Sequence, residues 1–193
     1  MQKRVLVVDG HPDKDRARFC HALAQACVAG ARDAGHETRL VTLADAEFPL
    51  LRSAREFATE PDNAAVLSVR EDLAWAQHIV FVFPLWVGSA PALLRGLLEQ
   101  IARADFFAAS EGRGIRQRLK GRTARLVVTM GMPAFAYRLL FGAYGLKSIA
   151  RSALEFAGIA PVKMTLFGGI GQQTASLAEA RLRRLRELGE QAA

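Results

Sequence analysis

The residues best suited to hold a ligand are the run Pro84-Leu85-Trp86-Val87-Gly88. The proline stiffens the backbone, the indole offers a flat face, and the loop amides offer N–H donors. That set suits a planar heterocycle better than a sugar or a metal. Trp86 on its own fits equally well as a plug at the end of the core. A second run, Gly10-His11-Pro12-Asp13-Lys14-Asp15-Arg16-Ala17-Arg18-Phe19, stands before a helix. Free N–H groups at the helix start, with His11, Arg16 and Arg18 as further donors, suit a phosphate. Asp13 and Asp15 oppose an anion unless they cap the helix or point outward, and a capped helix start with surface charges is the alternative. Neither G-x-G-x-x-G nor a P-loop is present here, which argues against a Rossmann dinucleotide site and a nucleotide hydrolase.

The elements that must position these runs follow from hydrophobic periodicity. Ile79 to Phe83 is an unbroken apolar stretch, the pattern of a strand covered on both faces and hence of a parallel sheet. Pro84 ends it, Gly88 and Ser89 supply a turn and an N-cap, and a helix follows with Leu93, Leu94, Leu97, Leu98 and Ile101 on one face. The Trp86 bend therefore lies at the carboxyl end of a central strand, where open α/β sheets bind ligands.

Val5 to Val8, Thr38 to Leu43, Ala124 to Thr129 and Val162 to Phe167 read as four further strands. A helix that starts between Asp13 and Arg18 and stops at Gly35 makes the first βαβ unit. Ala44 to Pro61 has no clean period, and Phe48-Pro49-Leu50-Leu51 reads as a loop over an edge; Asp62 to Trp75 is an amphipathic helix. Ala104 to Arg122 reads as a mobile basic loop, with a short helix as the alternative. A broken helical region covers Ala134 to Phe141 and Leu146 to Ala157, with Gly158 as its stop, and a capping box of Ser176 and Glu179 opens the last helix. Five strands alternating with helices predict a doubly wound α/β/α sandwich, one domain over 1–193.

Composition narrows the class. The chain has 193 residues, 51% hydrophobic and 23% charged, with net charge +7, which is globular rather than disordered. A basic balance favours phosphorylated or polyanionic ligands. Lys and Arg are nevertheless scattered, with no recognition helix, zinc spacing or aromatic-basic sheet motif, so nucleic acid is not the expected partner. Cys20 and Cys27 stand seven apart on one predicted helix, about 10 Å along its axis, too far for a disulfide within it. With no signal-peptide pattern and no span of membrane-crossing length, the expectation is a cytoplasmic protein without stable membrane insertion.

His11-Pro12, the bend Phe83-Pro84-Leu85-Trp86 followed by Pro91-Ala92-Leu93-Leu94-Arg95-Gly96, and the loop Thr129-Met130-Gly131-Met132-Pro133 together resemble the flavodoxin-like NAD(P)H:quinone oxidoreductases. The likeness runs in order from Val5 to about Ile170. It implies a flavodoxin-like five-stranded parallel sheet of order 2-1-3-4-5, a bound flavin, FMN or FAD, with NAD(P)H as donor, and a homodimer with the flavin near the subunit interface. It places His11, Arg18, Phe19 and Cys20 around the flavin phosphate, Pro84, Leu85, Trp86 and Val87 along the ring, and Thr129, Met130, Gly131 and Met132 at its polar edge. Amides near Gly131 and the Tyr137 hydroxyl become the catalytic donors for charge on the reduced ring. Two departures stand out: Arg18-Phe19-Cys20 replaces the family's usual Ser or Thr with Phe and Asn, and the family's relay histidine falls on Ala143 or Tyr144.

The implied activity is hydride transfer from nicotinamide through flavin to a quinone or similar acceptor, by a ping-pong mechanism. The loop Arg113 to Arg122 is either a further attraction for the nicotinamide cofactor's phosphate or a solvated loop. One alternative is a flavin-binding regulatory or accessory subunit, for example of an ion-efflux system, with little turnover of its own. Another is a flavin-free descendant that binds a partner or nucleic acid.

Overall fold

Each of the five apolar runs is a strand in the computed structural model, which describes residues 1–111 and 114–192. In chain-order labels these are β1 (Arg4–Asp9), β2 (Glu37–Thr42), β3 (His78–Pro84), β6 (Thr123–Thr129) and β7 (Val162–Phe167). They form one parallel sheet in the order β2-β1-β3-β6-β7, the expected 2-1-3-4-5 of five strands. β3 lies at the centre and is buried along its whole length. Its residues are all apolar except His78 at the start, because neither face of a central parallel strand meets water.

Alternate residues of each strand feed two cores. Leu6, Val8, Ile79, Phe81, Leu126 and Val128 pack with α3 (Ala64–Trp75) and α4 (Ala92–Ala102). Val5, Val7, Val80, Val82 and Val127 pack with α1 (Phe19–Asp33) and α7 (Ala175–Gln191). This period of two is the pleat itself, and it makes a helical layer on each face of the sheet.

Several local expectations change. The segment read as a basic loop holds an antiparallel hairpin, β4 (Ala108–Glu111) with β5 (Gly114–Gln117); Gly112 and Arg113 lie outside the described residues. Its strands are four residues each with Ile115 as their one large apolar side chain, so no apolar alternation announces them. A short helix, α2 (Ala54–Ala58), opens with the Ser53 side chain accepting the Glu56 N–H inside the stretch read as loop. Pro84 is the last residue of β3 rather than the one after it, and Ser89 does not cap α4: Pro91 holds the N-cap position without a side-chain bond. Thr174, not Ser176, caps α7 by accepting the Leu177 N–H, and Glu179 lies 4.0 Å from Arg183 instead of closing a box. The region after β6 is broken as expected, into α5 (Ala134–Leu140) and α6 (Tyr144–Ser148), which runs on into a π-helical stretch, Ile149–Glu155.

Candidate functional site

The carboxyl ends of β1, β3 and β6 bring the three predicted loops together. Two clefts meet there, of about 290 and about 450 Å³, and they share Leu85, Met130 and Gly131. The first runs past His11, Arg18, Phe19, Cys20, Pro84, Trp86 and Thr129, and the second past Val87, Met132, Tyr137 and Phe141. Every residue that the family resemblance assigns to the site therefore borders one of two adjoining clefts, here taken together as the crevice, each of a size that suits a small molecule. A separate groove of about 250 Å³ beside α4, lined by Phe57, Leu98, Phe107 and Ile149, shares none of these residues.

The tryptophan bend is a tight two-residue turn. Trp86 and Ser89 exchange backbone hydrogen bonds of 2.9 and 3.0 Å, while Val87 (φ +48°) and Gly88 (φ +74°) are both left-handed. Positive φ at both central positions is the conformation of a type I′ turn. Glycine takes it freely, but for a β-branched valine it is strained, and strained backbone of this kind gathers at ligand sites. Val87 is fully exposed and Trp86 is 48% exposed, so the turn projects over the crevice instead of plugging the core. The Leu85 N–H donates to Thr129 O at 2.7 Å, which ties the bend to the third loop.

The first loop is held from below by two buried residues that the sequence reading did not single out. His21 Nδ1 lies 2.5 Å from Asp9 Oδ2, its Nε2 lies 3.0 Å from the Asp13 carbonyl, and Asp9 Oδ1 accepts the His11 N–H at 3.3 Å. A carboxylate closing a buried strand, with a histidine on the sheet-facing side of the next helix, is the pattern that announces such a pair. His11 Nδ1 accepts the Asp13 N–H at 3.1 Å, so its Nε2 is left as the ring's other hydrogen-bonding edge. Burial first, and then the neighbouring His21, holds the His11 imidazole below its ordinary range, which favours the neutral ring.

Asp13 and Asp15 do not cap α1, whose N-cap residue, Arg18, has no side-chain bond; they close turns in the loop ahead of it. Asp13 Oδ1 accepts the Asp15 N–H at 2.9 Å, and Asp15 Oδ1 accepts the Ala17 N–H at 3.0 Å. The same carboxylates hold Arg18, whose Nε is 2.8 Å from Asp13 and 3.6 Å from Asp15. The Asp15 N–H, followed by Arg18, keeps the Asp13 carboxyl below its usual range. Arg16 is turned away onto Asp45 at 2.6 Å and borders neither cleft. An anion at this end thus meets α1's first turn, His11 and an arginine already shared with two carboxylates.

The third loop forms the opposite wall. Thr129 is buried and its hydroxyl lies 3.2 Å from the Cys20 sulfur, while Met130 N–H donates to Phe167 O at 2.9 Å. Burial pushes the Cys20 thiol up to about 12, which makes it a packing group rather than a nucleophile. Gly131 and Met132 are exposed along the crevice. Tyr137 is 1% exposed, and its hydroxyl donates to Gly88 O at 2.8 Å, so it braces the tryptophan turn. Of the two residues to which the resemblance assigns the relay-histidine position, Ala143 is buried and Tyr144 is 75% exposed, and neither borders a cleft. Phe141, Ile170 and Gly171 also line the crevice; only Phe141, as an aromatic four residues after Tyr137, had a signal in the sequence.

The family described as flavodoxin-like fold, Flavodoxin_2, matches residues 3–191. The chain belongs to that family. Among solved structures, this flavodoxin-like chain superposes on the NAD(P)H:quinone oxidoreductase from Methanothermobacter marburgensis with a TM-score of 0.83 at 22% identity, covering 100% of both chains. It superposes on an FMN-dependent NADH-azoreductase from Bacillus anthracis, solved in complex with FMN, with a TM-score of 0.75 at 15% identity, again over 100% of both. Among curated proteins, the ribosyldihydronicotinamide dehydrogenase-like protein traD of Penicillium crustosum is 26% identical over 160 residues, 66% of this chain and 57% of that protein. The match thus spans little more than half of the curated relative's length. Among the described residues no helix is long and apolar enough to cross a membrane, and no cluster of His, Cys, Asp and Glu could hold a metal ion.

Proposed function

We propose that the crevice binds a flavin, FMN or FAD, and that the protein is an NAD(P)H-dependent oxidoreductase passing hydride to a quinone or similar acceptor by a ping-pong mechanism. The observation that carries this reading is the crevice itself. It is open, lies at the carboxyl ends of the central strands, and runs from the first turn of α1 to an apolar end lined by Leu85, Met130 and Phe141. Those surroundings fit a phosphate at one end and a planar ring at the other. The names carried by structural relatives, a quinone oxidoreductase and an FMN-dependent azoreductase, point the same way.

When bound, the flavin supplies a ring that accepts hydride and gives it up again. The chain's own residues orient and shield it. His11, Arg18, Phe19 and Cys20 surround the phosphate end. Pro84, Leu85, Trp86 and Val87 form the wall along the ring, and Thr129, Met130, Gly131 and Met132 form its polar edge. Backbone amides near Gly131 stabilise negative charge on the reduced ring, with the Tyr137 hydroxyl as second donor whenever it leaves Gly88 O. The remaining elements of the reading are a homodimer, a cytoplasmic location and one flavin-binding domain over 1–193.

Purified protein should show flavin absorbance, bleach anaerobically when NADPH or NADH is added, and recover its colour with a quinone. A colourless preparation that neither FMN nor FAD reconstitutes would sink the reading. Tight flavin binding with slow turnover of every acceptor would instead assign the chain a regulatory or accessory role.

A further inference from the structure

Asp9, which closes β1, and His21, in the first turn of α1, border neither cleft and are 2% and 4% exposed. A buried pair of this kind adds little stability that two apolar side chains of the same size would not supply. What it adds is direction, because each of its polar atoms has a fixed role. A carbonyl oxygen can only accept, so His21 Nε2, 3.0 Å from the Asp13 carbonyl, carries a proton. His21 Nδ1 and Asp9 Oδ2, 2.5 Å apart, share a second proton. The other carboxylate oxygen, Asp9 Oδ1, accepts the His11 N–H at 3.3 Å. The loop from Asp9 to Asp13 is therefore fastened to the buried pair at both ends and once in between.

That fastening decides the His11 ring. The Asp13 N–H donates to His11 Nδ1 at 3.1 Å, so the neutral ring holds its proton on Nε2; the other tautomer would set two N–H groups against each other. Nε2 has no hydrogen-bond partner among the described residues and, unlike His78 Nε2, is not sealed inside the protein. His11 borders the first cleft, which Arg18 and Phe19 also line. Arg18 is already engaged by Asp13 and Asp15, so a fixed neutral donor takes a larger share in holding an anion there.

We propose that Asp9 and His21 are positioning residues for the phosphate end of the crevice: they hold the His11 ring as an Nε2–H donor, and that donor favours a phosphorylated flavin over riboflavin. The choice of ligand rests on the proposed function; the fixed ring does not.

Ring-nitrogen chemical shifts of the full chain without added flavin read each tautomer directly at neutral pH. His11 should be protonated at Nε2 alone, and both nitrogens of His21 should show a bound or shared proton. Asp9→Asn with His21→Leu removes the pair without leaving a buried charge unpaired. In that variant His11 should become a mixture of tautomers, and the ratio of FMN to riboflavin affinity should fall about tenfold, the worth of one hydrogen bond to a charged group. Asp9→Asn alone should keep the ratio within about twofold, since an amide accepts the His11 N–H and donates to a neutral His21 whose Nε2–H still meets Asp13. A parent ring protonated at Nδ1, or a double variant that keeps the parent's ratio, overturns the proposal. Equal loss of both flavins makes the pair merely structural and overturns it too. Should the double variant not fold by circular dichroism, the parent's ring spectrum decides together with His11→Phe, which should lower FMN affinity and spare riboflavin. A parent with the expected tautomers that binds neither flavin keeps the positioning and removes the functional reading.

Discussion

The His11 imidazole meets the Trp86 indole edge to face, with ring centres 6.0 Å apart and planes at 82°. It is the point at which the first loop touches the tryptophan turn, across 75 residues of sequence. Edge-to-face rings at this separation attract each other modestly, by about 0.5–1.5 kcal/mol beyond the area they bury. Trp86→Ala removes that contact and the wall of the crevice together. The variant should lose flavin on desalting while its unfolding free energy falls by no more than about 1.5 kcal/mol, since the indole is half exposed. Unchanged flavin content after gel filtration would put the ring elsewhere.

The turn is also braced from behind. Tyr137 donates to Gly88 O, and a Cβ at Gly145 would lie 2.1 Å from that same oxygen. Tyr137→Phe should cost about 1 kcal/mol through the lost hydrogen bond. Gly145→Ala should cost about 1–3 kcal/mol because backbone has to move. Both should weaken flavin binding, whereas Gly114→Ala, whose new atom would find its nearest neighbour at 3.8 Å, should stay within about 0.5 kcal/mol. Denaturant titration and flavin fluorescence read the two effects separately, and an unaltered flavin affinity in Gly145→Ala would remove the brace from the site.

Burial pushes both thiols, Cys20 and Cys27, up to about 12. Since the thiolate is the reactive form, neither should react with a disulfide reagent in the native protein at mildly alkaline pH, and both should react once the chain is unfolded in denaturant. Stoichiometric labelling of the folded protein would contradict their burial.

His78, at the opposite end of β3, supplies a pH dependence. Burial first, then Lys3, Arg125 and Lys163, pushes it down to about 3 from 6.5. Between those values the unfolded chain takes up a proton that the folded chain refuses. Stability is therefore complete above about pH 6.5 and falls as the pH drops, by about 1.4 kcal/mol per unit from this group. His78→Leu should flatten the curve of Tm against pH over that window. Equal slopes for variant and parent would mean that His78 is protonated in the fold.

Much of the framework was legible in the sequence because burial leaves a local mark. Ile79 to Phe83 must be covered on both faces, and Val5 to Val8 and Val162 to Phe167 carry the same signature, so strands and their alternation with helices could be read without knowing any contact. The three loops of the crevice followed from where those strands end. The hairpin at Ala108–Gln117 left no such mark, since its strands are short and carry one large apolar side chain, and the choice of Thr174 over Ser176 as cap turned on one bond to the Leu177 N–H.

What the sequence by itself determined is the doubly wound sheet, the position of each loop that borders the crevice and a net positive charge. Only the tertiary structure decided which side chains meet. Asp9 with His21, Cys20 with Thr129, Tyr137 with Gly88 and His11 with Trp86 lie 12, 109, 49 and 75 residues apart. The physical reason is range: an apolar period is written into a few consecutive residues, whereas contacts across tens of residues depend on strand order and register, which no single segment carries.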